Sequence, residues 1–187
     1  MSLCCFKVRN LLQLSGFADA WLFTEYVNVN NVIPVLKRRL QDMYISELRF
    51  GVEIGSSLTL YREIKCTFDR EDYLQVLENR KFKNAVAKLR LSSHKLFVET
   101  GRHRQIPRQD RKCILCNIDD VEDEYHVILI CPFYNNIRNT LIPRYVRTRP
   151  SMFKCVQLLN ETSKQVLVKL SSFCLKAFKL KGEHLNV

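Results

Sequence analysis

Residues 113–131 read Cys113-Ile-Leu-Cys116-Asn-Ile-Asp-Asp-Val-Glu-Asp-Glu-Tyr-His126-Val-Ile-Leu-Ile-Cys131, a C-x2-C-x9-H-x4-C spacing. Two cysteines separated by two residues can hold one ion from a single tight turn. A histidine and a cysteine beyond an intervening segment complete a tetrahedron of three thiolates and one imidazole. That donor set is soft, rich in nitrogen and sulfur and redox-silent, which suits zinc. Four protein ligands leave no position for water, so the spacing predicts a structural Zn2+ site on Cys113, Cys116, His126 and Cys131, not a hydrolytic one. His126 and Cys131 lie five residues apart, about 140° around a helix at about 100° per residue. One straight helix cannot aim both at an ion. Pro132 suits the first position of a new helix through Phe133, Ile137 and Leu141, so a break is expected there.

The charge changes sign on either side of this stretch. Between the ligand pairs stand Asp119, Asp120, Glu122, Asp123 and Glu124 with no Lys or Arg, and three thiolates on one zinc add a further negative charge. The knuckle itself is therefore a poor phosphate surface. Before it, Arg102, Arg104, Arg108, Arg111 and Lys112 stand against Asp110 alone; after it, residues 132–187 hold ten Lys/Arg and two acids. Gly101 and Pro107 punctuate 99–112 and no apolar period survives, which predicts a loop. That basic arm is the candidate nucleic-acid-binding segment, anchored at its C-terminal end by the metal site.

Elsewhere the apolar periodicity is helical. Val32, Val35, Leu36, Leu40, Met43, Tyr44 and Leu48 recur at three- and four-residue steps with Lys37, Arg38, Arg39, Gln41 and Asp42 between them. Further helices are expected over Ser57–Phe68, Arg70–Leu77, Arg80–Leu91, Ser151–Leu159 and Ser163–Leu180. The fold class is mainly α, an irregular helical bundle with a small zinc knuckle. It divides into a helical region (1–98), the basic arm with the zinc-binding segment (99–141) and basic C-terminal helices (142–187).

The chain has 187 residues, 47% hydrophobic and 26% charged, with a formal net charge of +11. That composition is globular, and the charge predicts attraction to polyanions. Of eight cysteines only the 113–131 group is compact; Cys4, Cys5, Cys66, Cys155 and Cys174 are scattered. Lys7 and Arg9 precede Leu11-Leu12-Gln13-Leu14, and Ala18-Asp19-Ala20 has the form of a cleavage site. The apolar run is nevertheless short and interrupted by Gln13, Ser15 and Gly16, which argues against a signal peptide. No run of about 18 uncharged apolar residues occurs, so no membrane partner is expected. The chain reads as soluble and intracellular, with nuclear and cytoplasmic locations undivided.

The runs Leu89-Arg90-Leu91-Ser92-Ser93-His94-Lys95-Leu96, Glu99-Thr100-Gly101-Arg102, Ile106-Pro107-Arg108, Arg111-Lys112-Cys113-Ile114-Leu115-Cys116, Val121-Glu122-Asp123-Glu124-Tyr125-His126 and Cys131-Pro132-Phe133-Tyr134 resemble the C-terminal region of non-LTR (LINE-type) retrotransposon reverse transcriptases. There they include the zinc-knuckle segment that follows the polymerase domain. The resemblance is specific from Leu89 to Arg138 and extends more weakly to Gly16–Trp21 and Arg149–Lys154. The family's polymerase carries an aromatic-x-Asp-Asp box. Phe17-Ala18-Asp19-Ala20 has Ala where the second carboxylate would stand, and two-metal phosphoryl transfer needs both.

The resemblance therefore implies a zinc-stapled module that binds RNA or DNA with little sequence preference and is not an enzyme by itself. It would be a tail without the polymerase and endonuclease domains. The alternative is a zinc-stabilised protein-interaction adaptor with no nucleic-acid role. A cysteine hydrolase using His126 or His94 is disfavoured, because no nucleophile motif surrounds either residue.

Overall fold

The computed structural model describes residues 3–22, 28–55, 58–65 and 69–185, and these are mainly helical. They fall into two compact units, Met1–Ile54 and Gly55–Val187. No helix among the described residues is long and apolar enough to cross a membrane.

The first unit holds α1 (Leu3–Leu14), α2 (Ala18–Leu22) and α3 (Val29–Ile54). α1 stops at Gly16, whose φ of +80° is left-handed. That turn lets Phe17 N–H donate to Leu12 O (2.7 Å) and Gly16 N–H to Gln13 O (3.2 Å), satisfying carbonyls the helix end leaves open. Asp19 lies exposed in the first turn of α2. The Asn28 side chain accepts Asn30 N–H (3.1 Å) and caps α3, so the predicted Val32–Leu48 stripe sits inside a longer helix.

The second unit holds α4 (Thr59–Ile64), α5 (Asp72–Val76), α6 (Arg80–Arg90), α7 (Phe97–His103), α8 (Asn135–Leu141), α9 (Arg144–Arg147), α10 (Met152–Leu159) and α11 (Lys164–Leu185). Of the helix expected over Ser57–Phe68, residues 57 and 66–68 lie outside the described residues, as does Cys66. α6 is amphipathic: Ala85, Val86 and Leu89 are buried while Lys81, Asn84 and Lys88 face water. The Asn79 side chain caps α6 by accepting Lys81 N–H (2.8 Å). Ser151 caps α10 in the same way through Lys154 N–H (3.3 Å). α11 packs against α6 and α8, burying Leu167, Leu170, Phe173, Cys174 and Ala177.

One core unites what the sequence divided at 98 and 141. Leu60, Ile64 and Leu89 from before residue 98, Cys113, Ile128 and Tyr134 from 99–141, and Cys155, Leu158 and Phe173 from the C-terminal helices belong to a single cluster. The segment 99–141 is therefore built into the body.

The loop expected over 99–112 is a correction. α7 continues through His103, and Arg108–Asp110 form a turn of 3-10 helix. Gly101 is helical, and its role is close packing. A Cβ there would stand 2.8 Å from Arg111 Cγ, so glycine lets the Arg111 side chain lie across α7. Apolar periodicity was silent because the segment is held by polar contacts.

Two members of the acidic run 119–124 are interior. Glu122, 1% exposed, receives Lys181 Nζ from α11 at 2.7 and 2.6 Å and the Phe97 backbone N–H at 2.8 Å. Glu124, 5% exposed, accepts from Ser92 Oγ (2.7 Å) and His94 Nε2 (2.8 Å). The Glu122–Lys181 pair ties the middle of the segment 113–131 to α11. Removing one partner of such a buried pair strands the other charge. Lys181→Met should cost about 3–5 kcal/mol of unfolding free energy by urea titration. Glu122→Gln combined with Lys181→Met should recover part of that loss; a Lys181→Met cost below about 1 kcal/mol would contradict the assignment.

Candidate metal centre

Two short chain arms present the first ligand pair. Cys113 N–H donates to Asp120 O and Glu122 N–H to Arg111 O, each at 2.9 Å, around an isolated antiparallel bridge between Lys112 and Val121. That bridge is the only β-pairing among the described residues. Asp119, with φ +57°, turns the chain between the arms. Cys113 and Cys116 thus sit on the turn that closes a hairpin-like loop.

The second pair sits on a different device. Asp123 caps the next helical turn, its Oδ1 accepting His126 N–H at 2.9 Å. His126–Ile130 then form a π-helix, and Cys131 N–H reaches back five residues to His126 O at 2.7 Å. A five-residue hydrogen bond stacks Cys131 over His126, where an α-helical turn would separate them. The break expected at Pro132 is present, with Cys131 in extended geometry and Pro132–Tyr134 in a 3-10 turn leading into α8. The π-turn preceding it is what aligns the two side chains, a device the spacing alone did not show.

The donor atoms of Cys113, Cys116, His126 and Cys131 all lie within 4.8 Å of one another, close enough to hold a metal ion. Cys113 Sγ and Cys131 Sγ are 3.9 Å apart, so they are free thiols rather than a disulfide. Cys116 Sγ lies 3.3 Å from His126 Nε2. His126 and Cys131 are fully buried, Cys113 nearly so, and Cys116 sits at the edge. His126 Nδ1, on the ring side away from the thiols, lies 3.5 Å from Asp120 Oδ2 and has no closer partner. A metal on Nε2 would require the proton on Nδ1, where Asp120 can receive it.

The thiols share protons among themselves. Cys113 is pushed up to about 12 by its contact with Cys131 and by burial. The same contact holds Cys131 below the usual thiol range. Burial pulls His126 downward, but the contact with Cys113 and the charges of Cys113, Asp120 and Asp123 outweigh it and raise the imidazole. By contrast Cys155 and Cys174 are each pushed up to about 12, burial being the main cause, and lie in the apolar core.

Sequence reasoning missed the residue that closes this site. Arg138, on α8 and 4% exposed, donates through Nε to Ile128 O (2.7 Å) and through Nη2 to Val127 O (3.1 Å) and Cys131 O (2.6 Å). The Cys131 carbonyl also accepts Tyr134 N–H (3.3 Å), so the guanidinium adds a second donor there and serves the Val127 and Ile128 carbonyls of the π-turn. The planar guanidinium meets three at once, which an ammonium cannot do in that geometry. Its burial among carbonyls lowers its affinity for its proton. Asp123 three residues before His126 was a legible capping signal; Arg138 and Lys181 had none.

Four of the five arm cations have partners within the fold. Arg102 donates twice to Glu99 (3.0 and 2.9 Å), and Arg108 pairs with Asp123 (2.8 Å). Arg111 donates to Ile106 O and Val98 O (both 2.8 Å), and Lys112 to Asp119 O (2.7 Å). Arg104 is exposed. Arg111 therefore serves the fold, while Arg108 keeps half of its side chain in solvent. His94 is held on both ring nitrogens, by Glu124 and by Leu96 N–H (3.4 Å).

These features define a mainly helical protein with a candidate three-cysteine, one-histidine metal centre. No family model, curated protein or solved structure matches the chain.

Asp120→Asn should lower metal affinity about 10–100-fold while leaving the melting temperature of the metal-loaded protein within a few degrees, because Asp120 is half exposed. Arg138→Met should instead destabilise by about 2–3 kcal/mol, since it removes the donor that serves the Val127 and Ile128 carbonyls, and Arg138→Lys should not restore the loss. Competition with a chromophoric chelator and thermal melting separate the two. Equal behaviour of the Asp120 and Arg138 variants in both assays would refute these roles.

Proposed function

We propose that this chain is a zinc-stapled nucleic-acid-binding module, akin to the C-terminal region of LINE-type retrotransposon reverse transcriptases, which binds and does not catalyse. The observation that carries the reading is the geometry of the four donors. Two thiolates on a tetrahedral zinc at about 2.3 Å stand about 3.8 Å apart, and Cys113 Sγ and Cys131 Sγ lie at 3.9 Å. Four protein donors, two fully buried, suit a closed structural site. Such an ion would cross-link the hairpin turn to the π-turn, and its binding free energy would be folding free energy.

The nucleic-acid half of the reading rests on charge. Internal ion pairs cancel one cation against one acid and leave the net +11 standing, and Arg104, Arg144, Arg149, Lys169 and Lys176 are all exposed. Phosphate contacts of this kind give affinity without sequence preference and a steep salt dependence. The pairing of Arg102, Arg108, Arg111 and Lys112 within the fold reduces the arm's share. Binding would then draw on Arg104, the solvent-facing part of Arg108 and the outer face of α11 at Lys169, Lys176 and Lys179.

The test is a salt titration of the full chain with RNA and with duplex DNA. Binding to unrelated sequences should be similar, with a steep slope of log affinity against log salt. Changing Arg102, Arg104 and Arg108 together to Ala should lower the duplex slope by up to about two, the shares of Arg104 and Arg108, with zinc content unchanged. An unchanged slope in that variant would place the binding face on α11. No binding of the unaltered, zinc-loaded chain at about 50 mM salt would favour the adaptor reading.

A further inference from the structure

A cavity of the second unit lies apart from the four donor residues, none of which lines it. It measures about 690 Å³ and opens between the C-terminal end of α6, the loop 91–96, α7 and the last turns of α11. Its rim carries Lys88 and Lys95, and its floor is made by Phe178, Gly182 and Leu185. We infer that this groove seats an unpaired nucleotide of a single strand, its phosphate on Lys88 and Lys95 and its base against Phe178 and Leu185. The inference rests on the nucleic-acid reading above and gives it a site.

Three observations carry it. First, the charges of the wall are already balanced. Lys181 is neutralised by Glu122 behind it, and Glu99, the one acid lining the groove, is taken by Arg102. His94 is locked on Glu124, so the wall is fixed before any ligand arrives. Second, Lys88 and Lys95 are exposed and pair with no acidic group among the described residues. Two uncompensated cations on the rim call for an anion. Third, the floor beneath them is apolar and partly aromatic. Phe178 is half-buried, tilted against His94 with ring centroids 6.1 Å apart, and Leu185 is 50% exposed.

An anion joined to a flat apolar face satisfies both features, and that is the chemistry of a nucleotide whose base is unstacked. A duplex offers only phosphates to a concave site and leaves the floor unused. An acidic peptide offers charge without rings. The volume lies in the range of pockets that enclose small ligands, room for a nucleotide and not for a helix.

Gly182 supplies a clean test. It is helical, and a Cβ built on it meets nothing within 4 Å, so a larger side chain enters the groove without disturbing the body. Gly182→Leu also replaces a poor helix former with a good one, which protects folding. The full zinc-loaded chain is titrated by fluorescence anisotropy with a labelled single-stranded oligonucleotide and a hairpin duplex of the same composition. Poly-glutamate of matched charge and a free mononucleotide serve as competitors.

The unaltered chain should prefer the single strand. Gly182→Leu should weaken single-strand binding about ten-fold and duplex binding less than about two-fold, in keeping with the size of base–aromatic stacking. Lys88→Glu with Lys95→Glu should lower the single-strand salt slope by about 1.4, two phosphate contacts. Competition by the mononucleotide but not by poly-glutamate supports the same seat. Equal affinity for strand and duplex, an unaffected Gly182→Leu variant or equal competition by poly-glutamate would overturn the groove assignment and leave the arm and α11 as the binding face. Failure of the unaltered chain to bind any nucleic acid would overturn both.

Discussion

A single backbone hydrogen bond, Cys131 N–H to His126 O at 2.7 Å, sets the geometry on which the rest of the second unit depends. It closes a π-turn, a conformation that leaves carbonyls without their usual helical partners and does not persist without support. The support is Arg138 of the neighbouring helix α8, whose guanidinium takes up the Val127 and Ile128 carbonyls and shares that of Cys131 with Tyr134 N–H. The turn in exchange places an imidazole and a thiol on the same side, facing the two thiols of the hairpin. An irregular turn, a buried cation and a candidate metal-ligating constellation are thus one arrangement. Each part explains why the others are where they are.

The segment 113–131 is joined to the body by charge as well as by apolar contact. Glu122 and Glu124 stand between the ligand pairs in sequence but point into the protein, toward Lys181 of α11 and toward Ser92 and His94. Buried carboxylates with full complements of donors add specificity to a fold, because any other packing would strand a charge. They also bear on the chain's surface chemistry. A formal +11 overstates what solvent sees in some places and understates it in others. Arg90 places its charge on Glu71 and Arg111 its donors on carbonyls, while Glu99, Glu122 and Glu124 are buried acids. Exposed cations remain on α11 at Lys169 and Lys176, at the groove on Lys88 and Lys95, and at Arg104, Arg144 and Arg149.

Local features were legible in the sequence, and long-range partnerships were not. The amphipathic periods at α3, α6, α10 and α11 predicted helices whose cores lie close to the observed ones, because burial of one face leaves a direct trace in residue order. The Cys/His spacing predicted a four-residue group that the fold does bring together. The segment 99–112 was misread as a loop because Gly101 resembles punctuation; its reason for being glycine, the passage of Arg111, lies ten residues away. The same limit hid Lys181, 59 residues from Glu122, and Arg138, whose acceptors are backbone atoms with no identity in the sequence. Composition marked the acidic run as a poor phosphate surface but does not say which of its carboxylates point inward.

The central claim is that Cys113, Cys116, His126 and Cys131 hold one zinc ion that completes the fold of the second unit. Native mass spectrometry of the purified full chain, with zinc supplied in slight excess at neutral pH, tests it most directly. The account predicts one ion per chain, a mass reduced by the protons the cysteines give up, and no bound ion in Cys116→Ser. Full occupancy in a Cys113→Ser, Cys116→Ser double variant, or a folded chain that takes up no ion, would contradict it.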